Sequence, residues 1–349
     1  MNNLLNDIDQ AIERGIVYLH QNQFPNGEFC CYIGHEDNMK DTVPDANVFP
    51  TSLICYSLLN VADHPKANHI IQLSASFLQH QSMRGGIWNN FTRAHPYFKV
   101  CPPDVDNTAC ACLVLKASQR EFPDNKELLY LNRNPKNLFY SWYTFRPTTI
   151  VHKDYWLLML REFKYPLSSL LFWMNVEAEK YDIDGAVNAN VLFYLGLNDK
   201  TSAIIQYLIE IIANHKEADC DKWYRNPFTI YYFFSRILYA GIEQLEPIRK
   251  PIIERILSKV NADGSIGPSA LDTALAVISL IKLECKSPEV DNAVTFLLGN
   301  QAEYGNWLRW AIYYGGPKKL QCYGSEEITT GFCIEALALY RKISTDENI

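Results

Sequence analysis

Gln23-Phe-Pro-Asn-Gly27-Glu-Phe29, Gln81-Ser-Met-Arg-Gly-Gly86-Ile-Trp88 and Gln301-Ala-Glu-Tyr-Gly305-Asn-Trp307 write one pattern three times into a chain of 349 residues, with a weaker fourth copy at Asn261-Ala-Asp-Gly264-Ser-Ile266. Each Gln lies near the C-terminal end of a periodic apolar stretch: AIERGIVYLHQ, IIQLSASFLQHQ and AVTFLLGNQ. The Gly a few residues on supplies left-handed backbone, which stops a helix. The aromatic after it is then placed to fold back onto the helix pair. Recurring stop signals of this kind mark stacked helix pairs, none of which buries its apolar face alone.

Six segments between the stops are nearly apolar all round after their first turn: PTSLICYSLL from Pro50, DVDNTACACLVL from Asp104, AVNANVLFYLG from Ala186, PFTIYYFFSRIL from Pro227, ALDTALAVISLIKL from Ala270 and EEITTGFCIEALAL from Glu326. Helices apolar on all sides are buried, so these form an inner ring. More amphipathic stretches around 5–20, 67–80, 157–178, 202–214, 246–259 and 289–299 supply six outer partners. The expected fold is all-α: an α/α toroid of six inner and six outer helices, occupying 1–349 as one domain. Residues 119–156 fit the repeat poorly. Asn-Arg-Asn-Pro at 132–135 and the aromatic run FYSWYTFRP read as a lid, as an insertion between the second and third pairs, or as a buried stripe.

Composition fits a large core, with 48% hydrophobic residues and 13% aromatics. A formal net charge of −7 and the lack of a long Lys/Arg run offer no footprint for nucleic acid. The opening stretch MNNLLNDIDQAIERGIVYL carries charges through its apolar run, unlike a signal peptide or a membrane span. A cytoplasmic location is expected, with room for peripheral contact to a membrane surface; a homodimer is compatible with the same reading. The ten cysteines are scattered and several sit in apolar runs, so they read as small buried residues. No Cys-x-x-Cys pair with a matching His cluster marks a zinc site.

The polar residues of the inner segments gather at their N-terminal ends: Thr51 and Ser52; Asp104, Asp106 and Asn107; Asn188 and Asn190; Thr229; Asp272 and Thr273; Glu326, Glu327 and Thr330. With parallel inner helices, these form a polar rim over an apolar cavity. Ser, Thr, Asp and Asn are also the preferred N-caps, and capping accounts for Thr51, Ser52, Thr229, Asp272 and Thr273 equally well. The Asp104–Asn107 cluster exceeds what one cap needs. It follows the helix-start signal Pro102-Pro103 with three polar side chains in four positions.

Pro103-Asp-Val-Asp-Asn-Thr-Ala109 resembles the Asp-x-Asp-Asp-Thr-Ala signature of class II terpene cyclases, and the Gln-x-x-x-Gly-x-Trp/Phe copies resemble the repeated Gln-Trp motif of squalene-hopene and oxidosqualene cyclases. The repeat resemblance spans most of the chain and the acid motif seven residues. Protein prenyltransferase β-subunits share the toroid, so the acid motif at an inner-helix start is what points to the cyclases. The length is similar to a lone β-type domain without the second barrel. The resemblance implies protonation-initiated cyclisation of a linear isoprenoid, such as farnesyl or geranylgeranyl diphosphate or a related polyprenyl compound. It implies Asp106 as the general acid, with Asp104 at the first motif position. Asn107 stands where the family usually has its last Asp, which helps to position or polarise the acid. That departure implies a different hydrogen-bond arrangement or an inactive relic.

The chemistry supports Asp106 on its own terms. An alkene carbon is a very poor base, so the acid must arrive protonated and be held away from water. The positive end of the helix favours the ionised form, whereas burial and the charge of Asp104 favour the neutral acid. The carbocation formed is stabilised by aromatic faces at ~0.5–2 kcal/mol per contact. Candidates are Phe49, Tyr194, Tyr231, Tyr232, Phe233 and Phe332, with Trp142 and Trp173 as lid or wall residues; each also reads as ordinary core. Asn188 and Asn190 are costly in an apolar helix unless bonded, and are expected to bind water or orient Asp106. One of Glu326 and Glu327 could be a terminating base, although acids also suit a solvated helix start.

A diphosphate substrate would need a basic lip, with Arg93, Arg133, Lys136, Arg146, Lys318 and Lys319 as candidates, and Mg²⁺ only in that case; otherwise no cofactor is required. The nearest approach to an acidic metal motif, Asp37-Asn-Met-Lys-Asp41, lies in a loop-like stretch. Two other readings stay open: a zinc-dependent protein prenyltransferase-like enzyme, whose Asp, Cys and His ligands cannot be assembled at the inner-helix ends, and a non-catalytic toroid that binds a prenyl or peptide partner.

Overall fold

The repeated stop signals divide the computed structural model, which describes residues 2–146, 149, 152–318 and 320–346, into helix pairs. The helices are α1 (Asn2–Asn22), α2 (Phe49–Leu58), α3 (Pro65–Gln81), α4 (Val105–Ala117), α5 (Lys126–Leu131), α6 (Lys153–Lys164), α7 (Pro166–Asn175), α8 (Gly185–Leu195), α9 (Ala203–Ala213), α10 (Pro227–Tyr239), α11 (Arg249–Leu257), α12 (Ala270–Lys282), α13 (Pro288–Gly299) and α14 (Glu326–Asp346). The six expected inner segments are α2, α4, α8, α10, α12 and α14. Each packs on the next and α14 returns to α2, closing an all-α ring. Outside it lie α1, α3, α9, α11 and α13.

The remaining outer position, third in chain order, differs from expectation. It is taken by the short α5, whose Leu128 and Leu129 are buried. The preceding Asn125 donates to Gly86 O at 2.6 Å and accepts from the Tyr194 hydroxyl at 2.9 Å, tying α5 to the end of the second repeat and to α8. Residues 157–178 instead fall on α6 and α7, which pack on one another, and α7 buries none of its residues. Their amphipathic period is that of an outer helix; the additional apolar residues on the opposite face mark the difference.

The physical content of the repeat is a set of clamps. In each copy the backbone N–H of the residue after the glycine turn donates to a Thr in the first turn of the next inner helix: Phe29 to Thr51, Trp88 to Thr108, Ile266 to Thr273 and Trp307 to Thr330, at 3.0–3.2 Å. The indole N–H groups of Trp88 and Trp307 return to Leu78 O and Leu297 O on the outer helix just ended. Gln23 reaches sideways to Ile70 O and Ser74 Oγ on the next outer helix, and Gln301 reaches Ala11 O on α1. Gly305 is held at φ 93°, and a Cβ there would lie 2.5 Å from Arg14 O. Only glycine permits that approach.

Four short strands, which the helical reading did not foresee, knit the ends of the ring. β1 (Cys31–Gly34), β2 (Val43–Asp45), β3 (Tyr313–Gly315) and β4 (Gln321–Gly324) form an antiparallel sheet in the order β2-β1-β4-β3. Strands of three or four residues carry too little alternation to be read from sequence. The sheet stands at the N-terminal ends of the inner helices, beside the cavity. No helix among the described residues is long and apolar enough to cross a membrane.

Candidate active site

A cavity of about 520 Å³ opens at the N-terminal ends of the inner helices. Its wall is largely aromatic: Phe49 from α2, Phe91, Trp142, Phe172 from α7, Trp223, and Tyr313 and Tyr323 from the sheet. Asp104, Asp106 and Asn107 at the start of α4 also line it. A loop segment places them. Asp104 N donates to Trp88 O at 3.1 Å and Val105 N to Ser141 O at 2.9 Å, so α4 begins pinned between the second repeat and the aromatic run.

Asp104 is the N-cap. Its Oδ1 accepts from the Asn107 backbone N–H at 2.7 Å, and Asn107 Nδ2 donates to both carboxylate oxygens at 3.0 and 2.9 Å. This uses the cap geometry that short polar residues supply. Asn107 Oδ1 has no hydrogen-bond partner among the described residues. Burial, reinforced by the charge of Asp106, pushes Asp104 up to about 7 against the pull of its Asn107 bonds.

Asp106 is held by two groups from distant parts of the chain. Its Oδ1 accepts from Asn190 Nδ2 at 2.5 Å and its Oδ2 bonds the Tyr224 hydroxyl at 2.6 Å. Burial raises its pKa, while the bonds from Tyr224 and Asn190 and the charge of Arg236 oppose that rise. Tyr224 is itself fixed by Asp221, whose Oδ1 accepts from Trp223 N and Tyr224 N at 2.8 and 3.1 Å and whose Oδ2 accepts from Ala186 N at the start of α8. Behind Asn190 lies Arg236, fully inside α10, with Nη2 on Asn190 Oδ1. Asp184 neighbours this region and takes the Ser141 hydroxyl at 2.5 Å; burial lifts it to about 6.

The sequence-predicted residues fall into three groups. Asp104, Asp106, Asn107, Phe49 and Trp142 line the cavity, and Asn190 touches Asp106 from behind. Trp173 stands edge-on to Trp142 at 6.0 Å, outside the lining. The others lie outside the lining. Asn188 accepts from Phe139 N at 2.8 Å and donates to Phe139 O and Asp184 O, which makes it the third pair's version of the Thr clamp. Tyr194 is tied to Asn125. Tyr231 donates to Glu217 and Tyr232 to Glu335, both at 3.3 Å, and Phe332 packs on Tyr232 with 5.1 Å between rings. None of these three lines the cavity, and each sits later in its helix than the inner-helix residues that do.

The basic residues are equally dispersed. Arg133 donates to Tyr130 O and Lys200 O on the outside of the third pair. Arg146 is buried against Asn132 Oδ1, Trp142 O and the Tyr155 hydroxyl, and Arg93 donates to His80 O. Lys318 is exposed, next to the lining residue Pro317, and Lys319 lies outside the described residues. Glu326 pairs with Arg309 at 2.6 Å, away from the lining. Among the described residues no group of three His, Cys, Asp or Glu side chains is arranged so that it could hold a metal ion.

No family model and no curated protein matches the chain. Solved structures do. A variant of the type II terpene cyclase MstE from Scytonema, in complex with geranylgeranyl dihydroxybenzoate as substrate, aligns with a TM-score of 0.70 at 14% identity, over 98% of this chain and 100% of that one. The same enzyme without ligand gives 0.66 at 14% identity, over 95% and 98%. A further variant, in complex with the product merosterolic acid A, gives 0.66 at 12% identity, over 98% and 99%. At such identity the likeness is one of architecture, and it extends end to end: this chain has the all-α toroid fold of the type II terpene cyclase MstE.

Proposed function

We propose that the protein is a class II terpene cyclase that folds a linear isoprenoid into its aromatic cavity and starts ring closure by protonating an alkene from Asp106. The observation that carries this reading is a buried carboxyl on the wall of an apolar cavity, with both oxygens held by fixed neutral groups, Asn190 and Tyr224. Burial keeps the proton on the acid until an alkene arrives. The alkene's π pair takes that proton, leaving a tertiary carbocation on the substrate and a carboxylate on Asp106. Neighbouring alkenes then attack in turn, and the series ends when the last cation loses a proton or captures water.

The remaining lining suits that course. Phe49, Phe91, Trp142, Phe172 and Trp223 present rings to a migrating cation without offering it a strong nucleophile. Proton transfer from Asp106 needs no metal; Mg²⁺ enters only with a diphosphate substrate. The MstE complexes place a geranylgeranyl chain on an aromatic head group in a toroid of the same fold, which supports a polyprenyl substrate here.

The exposed α7 fits delivery of such a substrate from a lipid surface. Leu167, Leu170, Leu171 and Met174 follow the spacing of one helix face and are 55–75% exposed, and Leu171 also lines the cavity. Apolar surface of this kind, continuous with the cavity, is where a monotopic contact would form.

The test is incubation with farnesyl and geranylgeranyl diphosphates, squalene and geranylgeranyl dihydroxybenzoate, followed by product analysis beside Asp106→Asn. Cyclic product from the wild type alone is expected. Cyclic product formed at equal rate by Asp106→Asn would remove Asp106 from its role.

A further inference from the structure

Asp106 has a buried cation behind it that none of the steps above uses. Arg236 is 2% exposed, and its guanidinium carbon lies 4.6 Å from the ring centroid of Phe193, 4.9 Å from Phe233, 5.3 Å from Tyr56 and 5.4 Å from Tyr232. Ring faces soften the loss of water, but a buried charge left without a counter-charge is strongly destabilising. Two carboxyl groups are placed to act on it. Glu335 on α14 is already committed to Lys282 Nζ at 2.8 Å, Ser57 Oγ at 3.0 Å and the Tyr232 hydroxyl. Asp106 is the other, and Asn190 bridges to it: Arg236 Nη2 donates to Asn190 Oδ1, and Asn190 Nδ2 donates to Asp106 Oδ1.

The bridge has a direction. A guanidinium offers donors only, so it faces only the oxygen of a carboxamide and turns the nitrogen end towards the acid. We propose that Arg236 is a positioning residue for Asp106: it locks the Asn190 amide with its donor on the acid, and it holds in advance the positive charge that the carboxylate needs once its proton has gone to the alkene. The inference rests on the reading of Asp106 as the initiating acid. Before transfer the carboxyl is neutral. After transfer, carboxylate and guanidinium form an ion pair through one amide, with no group having to reorient.

The other titratable groups facing Asp106 and Arg236 are Asp104 and Cys110 on α4, Tyr224 and Asp221 on the loop before α10, Tyr56 on α2, Tyr232 on α10 and Glu335 with its partner Lys282. Lys282 is spent on Glu335, which among the described residues leaves Arg236 as the cation that acts on Asp106.

Infrared difference titration tests this without substrate, using the carboxylic-acid C=O band of Asp106, assigned by its loss in Asp106→Asn. In Arg236→Met the deprotonation midpoint should rise by about one pH unit or more, because a cation that favours the carboxylate has gone. Arg236→Lys, which keeps the charge, should stay near wild type. With a cyclised isoprenoid, kcat of Arg236→Met should fall about tenfold or more with KM within about twofold, since Arg236 does not line the cavity. Should Arg236→Met fail to fold, Arg236→Gln keeps a donor for Asn190, loses the charge and carries the same expectation. An unchanged Asp106 midpoint in either folded neutral variant overturns the proposal. If the wild type cyclises no isoprenoid, the reading of Asp106 as initiating acid falls, while the titration still decides whether Arg236 governs that carboxyl.

Discussion

Two carboxyl groups two positions apart on α4 are given different tasks by their surroundings. Asp104 caps the helix and is clasped by Asn107, whereas Asp106 points its oxygens at Asn190 and Tyr224. Asn107 therefore supplies hydrogen bonds where a third acid would add charge. Because Asp104 is lifted from an ordinary carboxylate to about 7, it contributes stability fully below pH ~4 that is lost as pH rises through about 7. Thermal melts between pH 5 and 8 should show this: Asp104→Asn gains in stability relative to wild type as pH rises. Tyr224→Phe removes the bond to Asp106 Oδ2 and should lower kcat about tenfold while leaving KM within about twofold, measured on any isoprenoid the wild type cyclises. The acid motif was legible because its residues are contiguous. Tyr224 was not, since it meets Asp106 across 118 positions with no local pattern. Arg236 did leave a signal: a lone charge inside the apolar run PFTIYYFFSRIL, which needs a partner wherever that helix is buried.

Elements were legible where periodicity and punctuation agree. All six inner helices follow from their apolar runs and five of the outer ones from amphipathic stretches, four of which close on the repeated stop to Gly. The third outer position misled because α6 is as amphipathic as an outer helix, while the true occupant, α5, spans only six residues. Asn188 shows the same limit: its place in the first turn of α8 matches a rim residue, and the third pair uses it as the clamp that Thr provides elsewhere. The α7 face carries its own expectation. Replacing Leu167, Leu170 and Met174 by Ser should abolish co-sedimentation with phospholipid vesicles, and should leave the melting temperature within about 2 °C, because exposed side chains contribute little to folding. Undiminished vesicle binding would separate the exposed face from any membrane role.

The whole molecule is a ring whose last pair must lock onto its first. Gln301 and Gly305 make that joint against Ala11 O and Arg14 O on α1, and the four-stranded sheet seals it at the cavity end. Gly305→Ala places a Cβ into a carbonyl oxygen at positive φ, so chemical denaturation should show a loss of about 2 kcal/mol or more. An equal substitution at the half-buried Gly196, whose Cβ would meet nothing within 4 Å, should cost less despite its φ of 72°. Equal losses at both positions would mean that the closeness to α1 does not matter.

The toroid, its aromatic cavity and the buried acid converge on one expectation, that ring closure begins with a proton from Asp106. Product analysis by gas chromatography and mass spectrometry, on wild type and Asp106→Asn given the same linear isoprenoids, tests it most directly. Cyclic product should form with the wild type and drop by a factor on the order of 10² to 10⁴ in the variant. Cyclic product formed by Asp106→Asn at the wild-type rate would contradict it.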